Sequence, residues 1–315
     1  MKKTIMLIIF TLFLISCQPD EEVTPGYILT DIRPVALKVE PVEFWPGKTV
    51  SMSLVLGGRT FSQDSDLPVK WLMAEELTLP YNTPLTFPIP ENIEDLIPDD
   101  FDRVGENEIA QNLKQRGYID LPVTAEITIP LPDDSGGTRN IISTKRVRIY
   151  AEEPSVKREN PEIEKVVTFY TDKSGKIVET EVENGETLSF EIDSLPEVLL
   201  FKMIAQSSGS EEESRLSYSW LYTSDTSEKL SKNIDLELDE SKFHPMMEEK
   251  QRATPNRQHM SLNFKKVVKE IKDNNIELPL QFNFYGVVRD NAIDPQDLSE
   301  YRWGLDTFLF TFEIK

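Results

Sequence analysis

Leu67-Pro68-Val69-Lys70-Trp71-Leu72-Met73 and Leu216-Ser217-Tyr218-Ser219-Trp220-Leu221-Tyr222 decide how this chain is read. In the first, Leu67, Val69, Trp71 and Met73 occupy alternate positions. In the second, Leu216, Tyr218, Trp220 and Tyr222 do the same. Period two is the pattern of a half-buried strand. An indole in the middle of such a strand suits the gap between two packed sheets. Because the pattern occurs twice, the two halves of the chain are expected to share one plan.

Two further features recur in the same order. A glycine turn opens an alternating strand in Pro46-Gly47-Lys48-Thr49-Val50-Ser51-Met52-Ser53-Leu54, and again in Asn184-Gly185-Glu186-Thr187-Leu188-Ser189-Phe190-Glu191-Ile192. After the tryptophan strand, Ile119-Asp120-Leu121-Pro122-Val123-Thr124-Ala125-Glu126-Ile127 matches Ile276-Glu277-Leu278-Pro279-Leu280-Gln281-Phe282-Asn283-Phe284. Both prolines are expected where a strand begins, one of the few places a sheet tolerates them. A helical pattern precedes each copy. Ile109 and Leu113 form a short one that stops at Gly117; Leu262, Phe264, Val267, Val268 and Ile271 form a longer one that ends near Asn274-Asn275. Each half closes on an alternating strand. In Ile141 to Tyr150, Val147 and Ile149 alternate with Arg146 and Arg148; in Thr307 to Lys315, Phe308, Phe310, Phe312 and Ile314 share one face.

This arrangement resembles bacterial immunoglobulin-like modules on surface lipoproteins, with an opening strand, a Pro-Gly or Asn-Gly turn and a core tryptophan on the third strand. The expected fold is mainly β: two tandem immunoglobulin-like β-sandwiches, each with a helix-containing insertion. Strands with polar outer faces must bury their inner faces on a second sheet. Residues 31–152 form module 1, 153–160 a linker and 161–315 module 2. The insertions are expected at 74–118 and 223–275, each a helix-bearing cap on its own sandwich or a partner-binding surface. The chain lacks inter-sheet cysteines and a clear tyrosine corner, so strand order stays open, as does a fibronectin-like or jelly-roll variant.

The amino terminus gives an address. Met1-Lys2-Lys3 is a positive start, and Ile5 to Ile15 carries no charge. Eleven such residues fit a secretory h-region and fall short of the ~18 that suggest a membrane span. Leu14-Ile15-Ser16-Cys17 then resembles the bacterial lipobox. The resemblance implies that residues 1–16 are a signal peptide cut between Ser16 and Cys17. It also implies that Cys17 receives diacylglycerol and further fatty acyl chains such as palmitate. An ordinary signal peptide with a chance cysteine is the alternative, although Cys17 is the only cysteine in the chain. Several acyl chains hold a protein stably where one does not. Gln18, which replaces the Asp of inner-membrane retention, points to the outer membrane. Residues 17–30 are polar with two prolines and read as a tether.

Composition limits the partners. Loss of residues 1–16 removes Lys2 and Lys3 and takes the formal charge from −21 to −23. Such a chain repels phosphate backbones, and no basic stripe with interleaved aromatics appears, so nucleic acid is not an expected partner. Hydrophobic content of 39%, with 16 Phe, 9 Tyr and 4 Trp, suffices for real cores. With Cys17 committed to lipid, no intrachain disulfide is expected despite an oxidising destination.

No catalytic constellation emerges. Gly47-Lys48-Thr49 mimics the tail of a phosphate loop, but Val42 stands where that motif needs glycine. Ser135-Gly136-Gly137 and Ser207-Ser208-Gly209-Ser210 read as loop connections. His244 and His259 read as surface-loop histidines, and no thiolate is available to complete a zinc site. The acidic stretches Asp99-Asp100-Phe101-Asp102 and Asp290 to Asp297 could offer oxygens to calcium, but neither has the EF-hand spacing. No metal, cofactor or catalytic residue is therefore expected. The expected function is that of a non-enzymatic, lipid-anchored cell-envelope protein. It would serve as a binding module for an envelope protein or glycan, or as a display spacer. Two alternatives stay open: an envelope polysaccharide hydrolase using loop carboxylates, and an accessory subunit of an outer-membrane complex.

Overall fold

A computed structural model describes residues 27–29, 32–58, 61, 67–73, 76–97, 113–130, 137–155, 159–207, 216–223, 237–238, 258–290 and 304–315. Ser16, Cys17, Ile109, His244 and the acidic stretch 99–102 lie outside them.

Alternating apolar residues turn each half into two facing sheets. In module 1, β2 (Arg33–Glu40), β3 (Thr49–Gly57) and β6 (Leu85–Pro88) form one sheet in the order β2-β3-β6. The other is β5-β4-β7-β8, built from β4 (Pro68–Leu72), β5 (Glu76–Pro80), β7 (Tyr118–Pro130) and β8 (Thr138–Tyr150). In module 2, β9 (Glu162–Thr171), β10 (Ile177–Val182), β12 (Val198–Gln206), β14 (Glu237–Leu238) and β15 (His259–Asn263) form a sheet ordered β10-β9-β12-β15-β14. Facing it is β1-β13-β16-β17-β11, from β1 (Tyr27–Leu29), β11 (Thr187–Phe190), β13 (Leu216–Thr223), β16 (Leu280–Asp290) and β17 (Gly304–Ile314). This strand order is that of immunoglobulin-like sandwiches. The two modules match as β2 with β9, β3 with β12, β4 with β13, β6 with β15, β7 with β16 and β8 with β17. The edges differ: β5 joins the tryptophan sheet, whereas β14 joins the opposite one, and among the described residues module 1 has no strand in the places of β10 and β11.

Trp71 and Trp220 are 2% and 1% exposed and stand at the same place in the plan. Trp71 pairs across β7 with Ala125, and Trp220 across β16 with Gly286. Each large ring thus faces a small neighbour. A Cβ on Gly286 would lie 2.6 Å from Met203 Cε, so the glycine lets the second sheet approach. Around Trp71 the core is mostly aliphatic. Around Trp220 it is aromatic: Phe284 stacks on Phe310 at 5.1 Å and on Phe201 at 5.4 Å, and Phe264 on Phe312 at 4.9 Å. The expected inward row Phe308, Phe310, Phe312 and Ile314 is buried throughout.

Four expectations are corrected. The repeat of a glycine turn and an alternating strand is not a structural one. β3 lies between β2 and β6 as an antiparallel strand, but β11 runs parallel to β17 at the far edge of the other sheet. Both begin at a glycine with positive φ, Gly47 at 80° and Gly185 at 83°, and this shared turn produces the likeness. The counterpart of β3 is β12, a nearly continuous apolar run. The stretches 74–118 and 223–275 are also not simple insertions. They contain β5 and β6, and β14 and β15, alongside the helices. The apolar stripe from Leu262 divides as well: Leu262 belongs to β15, and α1 (Lys265–Asn274) begins after Phe264. It stops where expected, with Asn275 left-handed and its N–H donating to the Ile271 carbonyl. Residues 113–116 are helical and stop at Gly117. Pro122 is the fifth residue of β7 rather than its first. It is tolerated there because β4 pairs only with Thr124 to Ile127, leaving no ladder on that side for Pro122 to break.

The modules pack against each other. On the outer face of the β13-β16-β17 sheet, Leu221, Tyr285 and Val287 are buried with Leu309 beside them. Val35 and Val55 of module 1 cover them. The β2 register shifts between Pro34 and Ala36, a bulge that re-aims Val35. Around this patch, Lys38 Nζ lies 3.1 Å from Asp306 and 2.9 Å from Glu40. Burial pulls the Lys38 ammonium down, but the hydrogen bonds to Glu40 and Asp306 outweigh it and hold it above the usual lysine value. Asn160 donates to the Val39 carbonyl at 3.0 Å and accepts from Leu305 N–H at 3.0 Å, bolting the linker to both modules. Gly304 allows this closeness, since a Cβ there would meet Val42 at 3.0 Å and Asn160 at 3.1 Å. Sheet face thus meets sheet face, and the sandwiches lie side by side.

If this seam couples the modules, Val35→Asp places an unpaired carboxylate against Leu221 and Tyr285 at a cost of about 2–3 kcal/mol. Calorimetry is expected to show one unfolding transition in the parent protein and two in the variant.

Candidate functional site

The polar residues of both modules concentrate on outer sheet faces. On the β4-β7-β8 face of module 1, Lys70 pairs with Glu76 at 2.9 Å and Thr124 bonds Thr144 at 2.9 Å. Asn140 donates to Glu126 at 2.6 Å and accepts from Thr128 at 2.9 Å. These are cross-strand pairs: Thr124 with Thr144 and Thr128 with Asn140 are directly opposite, and Lys70 with Glu76 and Glu126 with Asn140 are diagonal. Ile142 stands exposed among them.

At the end of this face lies a group the sequence reading did not find. Arg148 is 3% exposed although its position in β8 points outward. Its Nε and Nη2 donate to the two oxygens of Asp120, each at 2.7 Å. Its guanidinium carbon sits 3.4 Å from the Tyr118 ring centroid. Tyr118 packs edge-on against Tyr150, and the Tyr150 hydroxyl donates to buried Glu43 at 3.1 Å. A bidentate pair stacked on an aromatic ring fixes geometry strongly. Both oxygens of Asp120 are thereby engaged by one guanidinium. The signal was present in the sequence as Asp120 in the Leu-Pro strand and Arg148 in the closing strand. Only pairing in register brings them opposite each other.

On the module 2 face, Glu313 accepts from Gln281 at 2.9 Å, from Lys315 at 3.0 Å and from Ser189 at 2.8 Å. These bonds, that from Gln281 first, hold its carboxyl below the usual range. Thr311 donates to Asn283 at 3.1 Å, and Asn283 N–H donates to Thr223 at 2.9 Å. At the opposite end of the sheet, the Ser207 hydroxyl donates to buried Asp290. These carboxylates act as acceptors that join strands.

The sequence-predicted residues separate. Trp71 and Trp220 are core, and their indole N–H groups find no acceptor among the described residues. Gly47-Lys48 forms a turn, with Gly47 N–H donating to Ile89 and the Lys48 ammonium 4.9 Å from the Trp45 ring. His259 corrects an expectation: it lies on β15, half-buried and opposite Lys202, rather than in a surface loop. Burial, then the Lys202 charge, lowers its pKa to about 4. Among the described residues no group of three or more His, Cys, Asp or Glu could hold a metal ion. None of their helices is long and apolar enough to cross a membrane.

No protein-family model matches the chain, and no curated protein matches it. Among solved structures, the chain is similar to the three N-terminal domains of the highly immunogenic outer capsid protein Hoc of bacteriophage RB49. That likeness has 8% identity, 90% of this chain and 100% of that one covered, and a TM-score of 0.20. It is also similar to extracellular domains 3–5 of Drosophila OTK, at 9% identity over 92% and 99% of the two chains, with a TM-score of 0.20.

Removing half of the stacked pair exposes its role. Asp120→Asn leaves buried Arg148 facing a neutral amide and is expected to cost about 3 kcal/mol in urea unfolding. His259 carries a pH dependence. Because its folded pKa lies below 6.5, the unfolded chain binds the extra proton between about pH 6.5 and pH 4. Stability therefore falls as pH drops through that window and is unaffected by this group above it. With partial hydration of the ring allowed for, the loss amounts to about 1–2 kcal/mol. His259→Gln is expected to flatten that part of the pH–stability curve.

Proposed function

We propose that this chain is a non-enzymatic, lipid-anchored protein of the bacterial cell envelope whose two sandwiches present a binding surface. The lipobox Leu14-Ile15-Ser16-Cys17 ahead of an acidic, Ig-like body carries the reading. Lipid on Cys17 would hold the molecule at a membrane, and Gln18 favours the outer membrane. The side-by-side packing of the modules favours a binding role over a spacer. A spacer gains reach by stacking modules end to end, and the seam at Val35, Tyr285 and Leu309 forgoes that reach. A flat sheet face of threonines, amides and one exposed isoleucine suits contact with an envelope protein or a glycan.

Less supports a polysaccharide hydrolase. That chemistry needs two carboxyl groups flanking a groove about 5 to 10 Å apart. The Asp120 oxygens are spent on Arg148, and Glu313 accepts three hydrogen bonds. An accessory role in an outer-membrane complex is a form of the binding reading. Recovery of one stoichiometric envelope protein on the soluble 18–315 fragment would identify it. Protease shaving of whole cells tells which side of the outer membrane the modules occupy.

Cys17→Ala is expected to abolish incorporation of labelled fatty acid and to release the protein from membranes. Label that persists in the variant rejects the anchor.

A further inference from the structure

The strand β1 (Tyr27–Leu29) precedes module 1 in sequence but does not belong to it. It pairs in parallel with β13 of module 2, Tyr27 opposite Leu221, Ile28 opposite Tyr222 and Leu29 opposite Thr223. A few residues later β2 crosses the outer face of the same sheet, where Val35 covers Leu221 and Tyr285. The chain therefore engages module 2 twice before it completes module 1.

We infer that the anchor tether docks on module 2, so the C-terminal module is held beside the membrane instead of projecting beyond module 1. This rests on the lipid-anchor reading of Cys17. Tyr27 lies ten positions after Cys17, which spans at most about 35 Å when fully extended. That length is about that of an extended strand of 11 residues such as β16. Leu221, one strand spacing from Tyr27, is then confined to a similar distance from the lipid. Both modules lie at the membrane, and the β4-β7-β8 face of module 1, opposite the seam, is the large sheet face left pointing away from module 2.

Paired cysteines test the docking in the lipidated full-length chain, whose native thiol is taken by lipid. Leu29→Cys with Thr223→Cys joins Cα partners and is expected to cross-link on mild oxidation. Leu29→Cys with Thr187→Cys spans the sheet from β1 to β11, about 19 Å, and is expected not to. A protease site placed in the linker then separates the modules. After cleavage and a urea wash, the module 2 fragment of the Leu29/Thr223 pair is expected to pellet with membranes until reductant releases it. A fragment released without reductant, or equal cross-linking of both pairs, overturns the inference. Cross-linked fragments that both stay in the supernatant retain the docking and reject the anchor. Hydrogen exchange on the unsubstituted protein covers a variant that fails to fold. Docked residues 27–29 are expected to exchange at least ~100-fold more slowly than an unstructured peptide, and exchange at the peptide rate overturns the docking.

Discussion

Two facing sheets leave a gap of about 10 Å, and everything in this molecule follows from filling it. In each module an indole from the tryptophan strand does so, Trp71 beside Ala125 and Trp220 beside Gly286. The small neighbours are as necessary as the large ring, because a side chain at Gly286 would collide with Met203. Neither indole N–H meets an acceptor among the described residues, a cost of about 1–3 kcal/mol that ring burial outweighs. With no disulfide among the described residues to join the sheets, packing is the main force that holds them. Module 2 reinforces it with stacked phenylalanines, while module 1 relies on aliphatic side chains.

Once the inner faces are buried, the outer faces set how the modules associate. A wholly polar outer face on module 2 would leave the sandwiches free of each other. Leu221, Tyr285, Val287 and Leu309 instead make one half of that face apolar, and Val35 and Val55 cover it. The other half carries Asn283, Thr311, Gln281 and Glu313 in a hydrogen-bonded ladder. The boundary between these halves is also the boundary of the seam. Lys38, Asp306 and Asn160 then fix the register of one module on the other, and β1 adds a second attachment on the same sheet.

Much of the architecture could be read from alternation, because burial on one face imposes period two directly. The tryptophan strands, the Leu-Pro strands and the closing strands were identified this way, and each pair is structurally equivalent. The turn–strand repeat misled because Gly47 and Gly185 need the same left-handed backbone. A local turn says nothing about which sheet the next strand will join. β12 is the opposite case: Leu199, Leu200, Phe201 and Met203 are all buried, so no alternation marks the strand in the sequence. The spacing from turn glycine to tryptophan, 24 residues in one half and 35 in the other, registers the strand that intervenes in module 2.

By itself the sequence determined what depends on neighbouring residues: strands at every second position, a helix ending at Asn274-Asn275, turns at glycines and an acidic surface. Tertiary structure alone decided what depends on residues far apart. Asp120 and Arg148 become a stacked ion pair only in the β7–β8 register. His259 loses its ready proton uptake only when β15 enters a sheet beside Lys202. Leu221 and Tyr285 look like ordinary strand residues until a face that should meet water meets Val35. Tyr27–Leu29 joins the sheet of module 2 for the same reason: a strand edge pairs with whatever backbone lies beside it, and sequence distance does not enter that choice.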